Sequence, residues 1–303
     1  MPNSIAKFKK YVPLLDEVYK LASLTSVLDS DASLAQEGAN ANEIIIPKID
    51  MDALGDYDRN SGYTNGDVTM TNETVKFNYE RGRMFTVDAM DNEETAGLAY
   101  GKLASEFIRT KVAPEGDAFR FATYAGTTGI SKVSTPATLS TGADVISALR
   151  AATNKMDEDE VPCENRYLFI TPTLKGLVDD LDTTKSKEVL ARFSQITLVP
   201  QTRFYTAIDM LDGKSTNETK GGYKRHAKGS ESGDTNGADI NFMVIHKDAV
   251  MQYNKHIAPK VITPEANQTA DGWKFGYRKY GLAGVYENKA AGIYLHHKAA
   301  PTA

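Results

Sequence analysis

The chain has 303 residues, 41% hydrophobic and 25% charged, with 35 basic against 40 acidic residues and a net charge of −5. That is enough to bury one large or two modest cores, and a mildly acidic balance argues against a free nucleic-acid reader, which is usually basic. The single cysteine, Cys163, excludes an internal disulfide and a thiolate zinc cluster. The N-terminal MPNSIAKFKKYVPLLDEVYK has no long apolar core and no small-residue cleavage site, so no signal peptide is expected. No window reaches the apolar length of a membrane helix.

The first predicted element is a helix. Ser4 suits its cap, and Ile5, Phe8, Leu15, Val18, Tyr19 and Ala22 recur at helical spacing. Residues 30–42 (SDASLAQEGANAN) are too polar to fold alone. Residues 1–42 therefore read as an arm that needs another surface. Residues 43–90 read as a long two-stranded excursion. Ile44–Ile46 is a β-branched run, Val75, Phe77 and Tyr79 alternate, and Phe85 and Val87 follow an Arg81-Gly82-Arg83 turn. Its tip, 56–67, is rich in Asp, Asn and Gly. An extended hairpin is marginal in water by itself, so it is expected to pack on another subunit.

A strong helix follows, capped by Asp91 with Glu94, striped by Leu98, Leu103, Phe107, Ile108 and Val112, and ended by Pro114. Residues 114–125 read as a second, short helix, broken at Gly126 and Gly129. From Thr141 helices and strands alternate. Thr141 with Asp144 caps a helix to about Met156, RYLFI (166–170) is a buried-type strand, and Pro172 opens a helix. Lys187 to Ile196 is a helical candidate and Leu198 to Tyr205 a strand or extended segment. Residues 212–239 form a polar insertion, expected to be exposed and mobile. FMVIH (242–246) is a strand. The final third is β, with strands at 259–262, 273–280, 284–287 and 292–297.

Candidate chemistry is sparse. Asp56, Asp58, Asn60 and Asp67 have calcium-loop-like spacing, but the loop lacks Gly at its sixth position and Glu at its twelfth. His226, His246, His256, His296 and His297 form no ligand pair at helical spacing, and Cys163 reads as a partly buried structural thiol. No nucleophile elbow, phosphate loop or dinucleotide fingerprint is present. No catalytic, cofactor or metal site is expected.

Three stretches carry a family resemblance: ETVKFNYERGRMFTVDAMDNEET (73–95), FIRTKVAPEGDAFRFATYAG (107–126) and GWKFGYRKYGLAGVYENKAAGIYL (272–295). With the order arm, excursion, long helix, mixed α/β unit and closing strands, the chain resembles the major capsid proteins of tailed bacteriophages, with the Hong Kong 97-type fold, an α+β class. That resemblance implies an N-arm at 1–42, an E-loop at 43–90 and a P-domain with its spine helix at 91–140. It further implies an A-domain at 141–248 and P-domain closing strands at 249–303. It implies a non-enzymatic subunit that assembles as pentamers and hexamers into an icosahedral virion shell in the bacterial cytoplasm. A separate scaffolding protein and a portal are implied partners. Packaged double-stranded DNA would lie on the inner face without sequence specificity, and no membrane is implied. The arm begins almost at Met1, so no delta domain is expected. One branch of the family welds subunits by a Lys–Asn bond, and no pair among Lys48, Lys76, Asn267 and Asn288 aligns with it. The expected intersubunit contacts are Lys7, Lys9 and Lys10 on the arm, Tyr57, Asp58 and Arg59 in the tip, and Arg81 and Arg83, whose planar forks suit interface carboxylates. The alternatives are an encapsulin-type nanocompartment shell and an unrecognised enzyme.

Overall fold

The computed structural model describes residues 22–30, 36–37, 43–90, 98–181, 183–216, 218–229 and 235–301. The expected arm helix with Lys7, Lys9 and Lys10, and the expected Asp91–Glu94 cap, lie outside the described residues.

Strands β1 (Gln36–Glu37), β2 (Glu43–Met51) and β3 (Val68–Lys76) form one antiparallel sheet. Strand β4 (Tyr79–Asp88) leaves it. The sequence predicts that the excursion's return strand turns at Arg81-Gly82-Arg83; instead the chain breaks at Phe77–Asn78 and β4 runs uninterrupted. Asn78 accounts for the break. Its side chain accepts from the Ala283 amide at 3.1 Å and donates to the Ala283 carbonyl at 2.7 Å, replacing a backbone ladder pair. Gly82 sits mid-strand, where a Cβ would stand 3.0 Å from the Tyr277 carbonyl oxygen. It serves close strand approach rather than a turn.

The next helices are continuous. Helix α1 (Leu98–Phe107) passes through a π-helical turn (Ile108–Val112) into α2 (Ala113–Gly126), together roughly 43 Å at 1.5 Å per residue. Pro114 thus does not end a helix. The Ala113 amide donates to the Ile108 carbonyl, five residues back, and this wide turn resets the ladder. Proline then falls in the first turn of α2, where no N–H is required. Ile108 and Ala113 pack on Phe275 and Tyr277.

After β5 (Ser131–Lys132) come α3 (Gly142–Glu158), β6 (Arg166–Ile170), α4 (Pro172–Asp179), α5 (Thr184–Leu190) and β7 (Gln195–Leu198). Thr141 and Asp144 make the reciprocal capping box expected of them. Helix α5 starts and stops earlier than predicted because Thr183 caps it through Ser186. The following residues are drawn into β7 beside β6, and Pro200 closes that strand before a 3₁₀ turn. Strands β8 (Ile208–Leu211) and β9 (Gly222–Arg225) form a hairpin.

Strands β10 (Ile240–His246), β11 (Val250–Ile262), β12 (Gly272–Val285) and β13 (Ile293–His297) complete the chain. The two strands predicted at 273–280 and 284–287 are one. Gly281 does not break it, because a Cβ there would stand 2.9 Å from the Tyr253 carbonyl, so glycine admits β11. The long sheet has the order β11-β12-β4, and the mixed sheet β5-β13-β10-β6-β7. The last strand lies inside the mixed sheet, between β5 and β10. Both faces of that sheet are covered. Val145, Leu149 and Met156 of α3 lie on one, Phe121 and Tyr124 of α2 on the other. Strand β10 is buried throughout, which is why it reads as an unbroken apolar run.

Candidate assembly surfaces

The hairpin β2–β3 pairs without slip from Glu43 opposite Lys76 to Met51 opposite Val68. Successive side chains take opposite faces. Ile44, Ile46 and Val75 face the body, against Met251, Tyr253 and Leu282. On that face Lys48 meets Glu287 at 2.9 Å, and the hydrogen bond to Glu287 raises the lysine pKa. On the other face Ile49 stands opposite Met70 and Met51 opposite Val68. These four are 57–71% exposed. Adjacent apolar side chains paired on one face in water mark a surface to be covered. The sequence reading missed this stripe, although Ile49 and Met51 alternate with Lys48 and Asp50.

The tip, 52–67, is held by its own hydrogen bonds. The amide of Asp67 donates to the Asp52 carboxylate at 2.9 Å. Asp58 and Gly62 exchange backbone bonds at 3.2 and 2.7 Å, and Gly62 takes φ +82°, which glycine allows without strain. The Asp58 carboxylate accepts from the Asn60 amide at 2.7 Å, and that bond lowers its pKa. Tyr57 and Tyr63 meet edge to face at 4.9 Å, both exposed. Tyr57, Asp58 and Arg59 thus share one exposed turn.

Arg81 and Arg83 both have partners within this chain. Arg81 bonds Glu115 at 2.8 Å and donates to the carbonyls of Leu211 at 2.7 Å and Gly222 at 3.2 Å. Arg83 donates to the Thr219 carbonyl at 3.0 Å. Both are engaged within their own chain, pinning β8–β9 to β4. The polar insertion, expected to be exposed and mobile, supplies β9 and the turn that joins it to β8. At its start Asp212 accepts from the Ser215 hydroxyl and the amides of Lys214 and Ser215, and these bonds, the hydroxyl first, lower it to about 2.

Between α1, the π-helical turn, β4 and the β8–β9 hairpin lies an open cleft of about 970 Å³. Phe85 and Phe107 meet edge to face at 4.8 Å in its wall. Tyr223 closes one side, donating its hydroxyl to the Thr202 carbonyl at 2.9 Å, and burial pushes that phenol up to about 12.

Residues 22–30, which the sequence assigns to an arm needing a foreign surface, dock on their own chain, with Leu28 fully buried. The anchor is Asp117 on α2, itself fully buried. It accepts from the hydroxyls of Ser23 and Thr25, both at 2.7 Å, the Leu24 amide at 2.9 Å and Arg203 at 3.2 Å. Arg120 donates to the Thr25 hydroxyl at 2.7 Å. Gln252 donates to the Thr25 carbonyl at 2.8 Å and accepts from Tyr124 at the same distance. The signal in the sequence was an acid at position 117, four residues from Ala113 and four from Phe121, on an otherwise apolar stripe.

The remaining candidates stay apart. Cys163 is exposed rather than partly buried. His226 pairs with Asp209 at the surface, while His246 and His296 are buried. Among the described residues no group of three His, Cys, Asp or Glu could hold a metal ion, and no described helix is long and apolar enough to cross a membrane.

No family model and no curated protein matches the sequence. Solved structures do match. The chain is similar to the capsid structure of the cyanophage P-SCSP1u (13% identity, 88% of this chain and 86% of that one, TM-score 0.55). It is similar to the mature capsid of bacteriophage PhiM1 (10% identity, 86% and 83%, TM-score 0.56). It is also similar to the capsid of Staphylococcus phage Andhra (12% identity, 89% and 84%, TM-score 0.55). Long sheet, continuous helix with its π-helical turn and mixed sheet covered on both faces, aligned over most of each chain, give this protein the capsid fold of the tailed phages.

Proposed function

We propose that this chain is a shell subunit, the major capsid protein of a bacteriophage, which associates with itself as pentamers and hexamers into an icosahedral container for the genome. The observation that carries the reading is the β2–β3 hairpin. On a capsid-type fold, it projects a paired apolar stripe and an aromatic, acidic tip that its own chain does not cover. An isolated hairpin of this kind is marginal in water, and a neighbouring subunit would bury it. On this reading β2–β3 is the E-loop. The P-domain is α1–α2 with β4, β11 and β12, and the A-domain is the mixed sheet with α3–α5. Residues before the Asp117 anchor are the arm, and Lys7, Lys9 and Lys10 would contact DNA or an acidic neighbour. The mechanism is assembly rather than catalysis: modest contacts repeated by symmetry close the shell. A scaffolding protein, a portal and packaged DNA are the partners this role calls for, and the virion is its location.

The test is electron microscopy of the expressed chain, with size-exclusion chromatography beside it, alone and co-expressed with a scaffolding protein from the same genome. Closed shells or capsomer rings are expected, with a diameter that separates a phage head from a small encapsulin-type cage. A monomer under both conditions would overturn the reading.

A further inference from the structure

We propose that Asn65, in the hairpin tip, is a site of spontaneous covalent modification, losing its side-chain amide by ring closure on the Gly66 backbone nitrogen. The chain contains two Asn-Gly pairs, Asn65-Gly66 in the tip and Asn236-Gly237 before β10, and a threonine precedes each. Glycine leaves the nitrogen that follows an asparagine least hindered, because it has no Cβ and turns freely. The fold gives the two pairs opposite settings. Asn236 is held at both ends of its amide: the oxygen accepts from the Lys228 amide at 2.7 Å, and the nitrogen donates to the Pro301 carbonyl at 2.7 Å. The Gly237 amide donates to the His226 carbonyl at 2.9 Å. Gly237 is also buried, so closely that a Cβ would stand 2.5 Å from the Ala207 carbonyl oxygen. There the nitrogen reaches the side-chain carbonyl only after a local opening. Asn65 and Gly66 are exposed and lie outside any strand. Among the described residues, neither the Asn65 side chain nor the Gly66 amide enters a hydrogen bond. The bonds of the tip close the Asp58–Gly62 turn and the Asp52–Asp67 pair, and leave Asn65-Gly66 between them.

The Gly66 nitrogen attacks the side-chain carbonyl carbon of Asn65. A C–N bond forms and closes a succinimide ring; the bond from that carbon to Nδ2 breaks, and ammonia leaves with the proton of the Gly66 amide. Water, the sole co-reactant, then opens the ring. Opening at the new bond restores the ordinary backbone and leaves aspartate. Opening at the original peptide bond routes the backbone through the side-chain carbon and leaves isoaspartate. Either product places a new carboxylate on a tip that already carries Asp52, Asp56, Asp58 and Asp67 against the basic Arg59. The isoaspartyl product also adds a backbone carbon between the Tyr57–Tyr63 pair and the Asp67 that is bonded to Asp52, so it shifts the aromatic pair relative to β3. Subunits held in solution thus become chemically mixed at this one turn.

The experiment holds the folded, unassembled chain in mildly alkaline buffer for several days and maps its peptides by mass spectrometry, beside a fresh sample digested in parallel. Trypsin releases Asn65 within residues 60–76 and Asn236 within residues 229–247. Electron-transfer fragmentation separates aspartate from isoaspartate and distinguishes Asn65 from Asn60 and Asn72. A gain of about 1 Da at Asn65 is expected, as both products and at least about tenfold more abundant than at Asn236. In chain unfolded by denaturant the two sites should convert alike. Gly66→Ala should slow conversion at Asn65 more than about tenfold; the fold accommodates it, since the added Cβ would meet only the Asp52 side chain, at 3.5 Å. An intact Asn65, or equal conversion of both sites in the folded chain, would overturn the assignment. A difference that persists in the unfolded chain would overturn the part played by the fold, and a Gly66→Ala variant that converts as fast as the parent would overturn the Gly66 nitrogen as the attacking atom. The shell reading is independent of each outcome.

Discussion

At the scale of single residues, the most consequential group is a carboxylate with no exposure. Asp117 joins the 22–30 segment to α2 and Arg203 through short bonds. Removing its charge leaves Arg203 and several donors short of an acceptor in a dry site, the costly way to break a buried network. Asp117→Asn should lose about 3 kcal/mol of stability in denaturant unfolding, and residues 22–30 should become accessible to protease. Unchanged stability would show that the network is not a lock. Buried His296 should make the fold less stable in mild acid. Burial, with a smaller effect from His297, lowers it to about 4, below the roughly 6.5 of an unfolded histidine. Between those values the unfolded chain holds more protons than the folded one, so stability falls as pH drops from about 6.5 towards 4. Thermal unfolding at pH 7.5 and pH 5 should show that decline, and His296→Asn should make it shallower. An identical slope in the variant would clear His296 of the effect.

Elements show where local sequence suffices. The start of α3 is written in Thr141 and Asp144, that of α4 in Pro172, and β6 and β10 in unbroken apolar runs. Each of these depends on neighbours within a turn or on burial on both faces. What went unread depends on distant partners. Gly82 and Gly281 look like breaks until Tyr277 and Tyr253 press against them. Pro114 looks like a stop until the π-helical turn before it absorbs the missing donor. Pro114→Ala should therefore change stability by less than about 1 kcal/mol, where a proline interrupting a plain helix would cost about 3 kcal/mol relative to alanine. Of the candidate site, the tip was legible as an exposed polar turn, but the bonds that Arg81 and Arg83 make to the β8–β9 hairpin were not, since those carbonyls lie more than a hundred residues away. The hairpin's free face gives the sharpest element-scale test. Ile49→Asp with Met70→Asp places charge on an exposed stripe, so the subunit should unfold within about 0.5 kcal/mol of the parent while particles disappear from micrographs. Normal particles would show that this face stays in solvent.

The whole molecule is graded in stability by burial. Strands β6 and β10 sit between two cores, while β2–β3 beyond Lys48 has water on both sides. Amides of β6 and β10 should exchange hydrogen last and those of the distal hairpin first. Assembly should slow exchange in the hairpin selectively, which mass spectrometry of free subunits and particles would report. Indifference of the hairpin to assembly would remove it from the contact surface. The mixed sheet sets a further order of events. Its second strand from the edge is β13, which joins Ser131–Lys132 on one side to β10 on the other. At 5–20 residues per second, a ribosome needs about 8–30 s to travel from residue 131 to residue 293. Until then the sheet that α2 and α3 cover lacks one of its five strands, the one that links β5 to β10. On the proposed shell reading, a nascent copy completes this sheet only when nearly all of the described residues have been made, so translation itself would time the supply of assembly-competent copies.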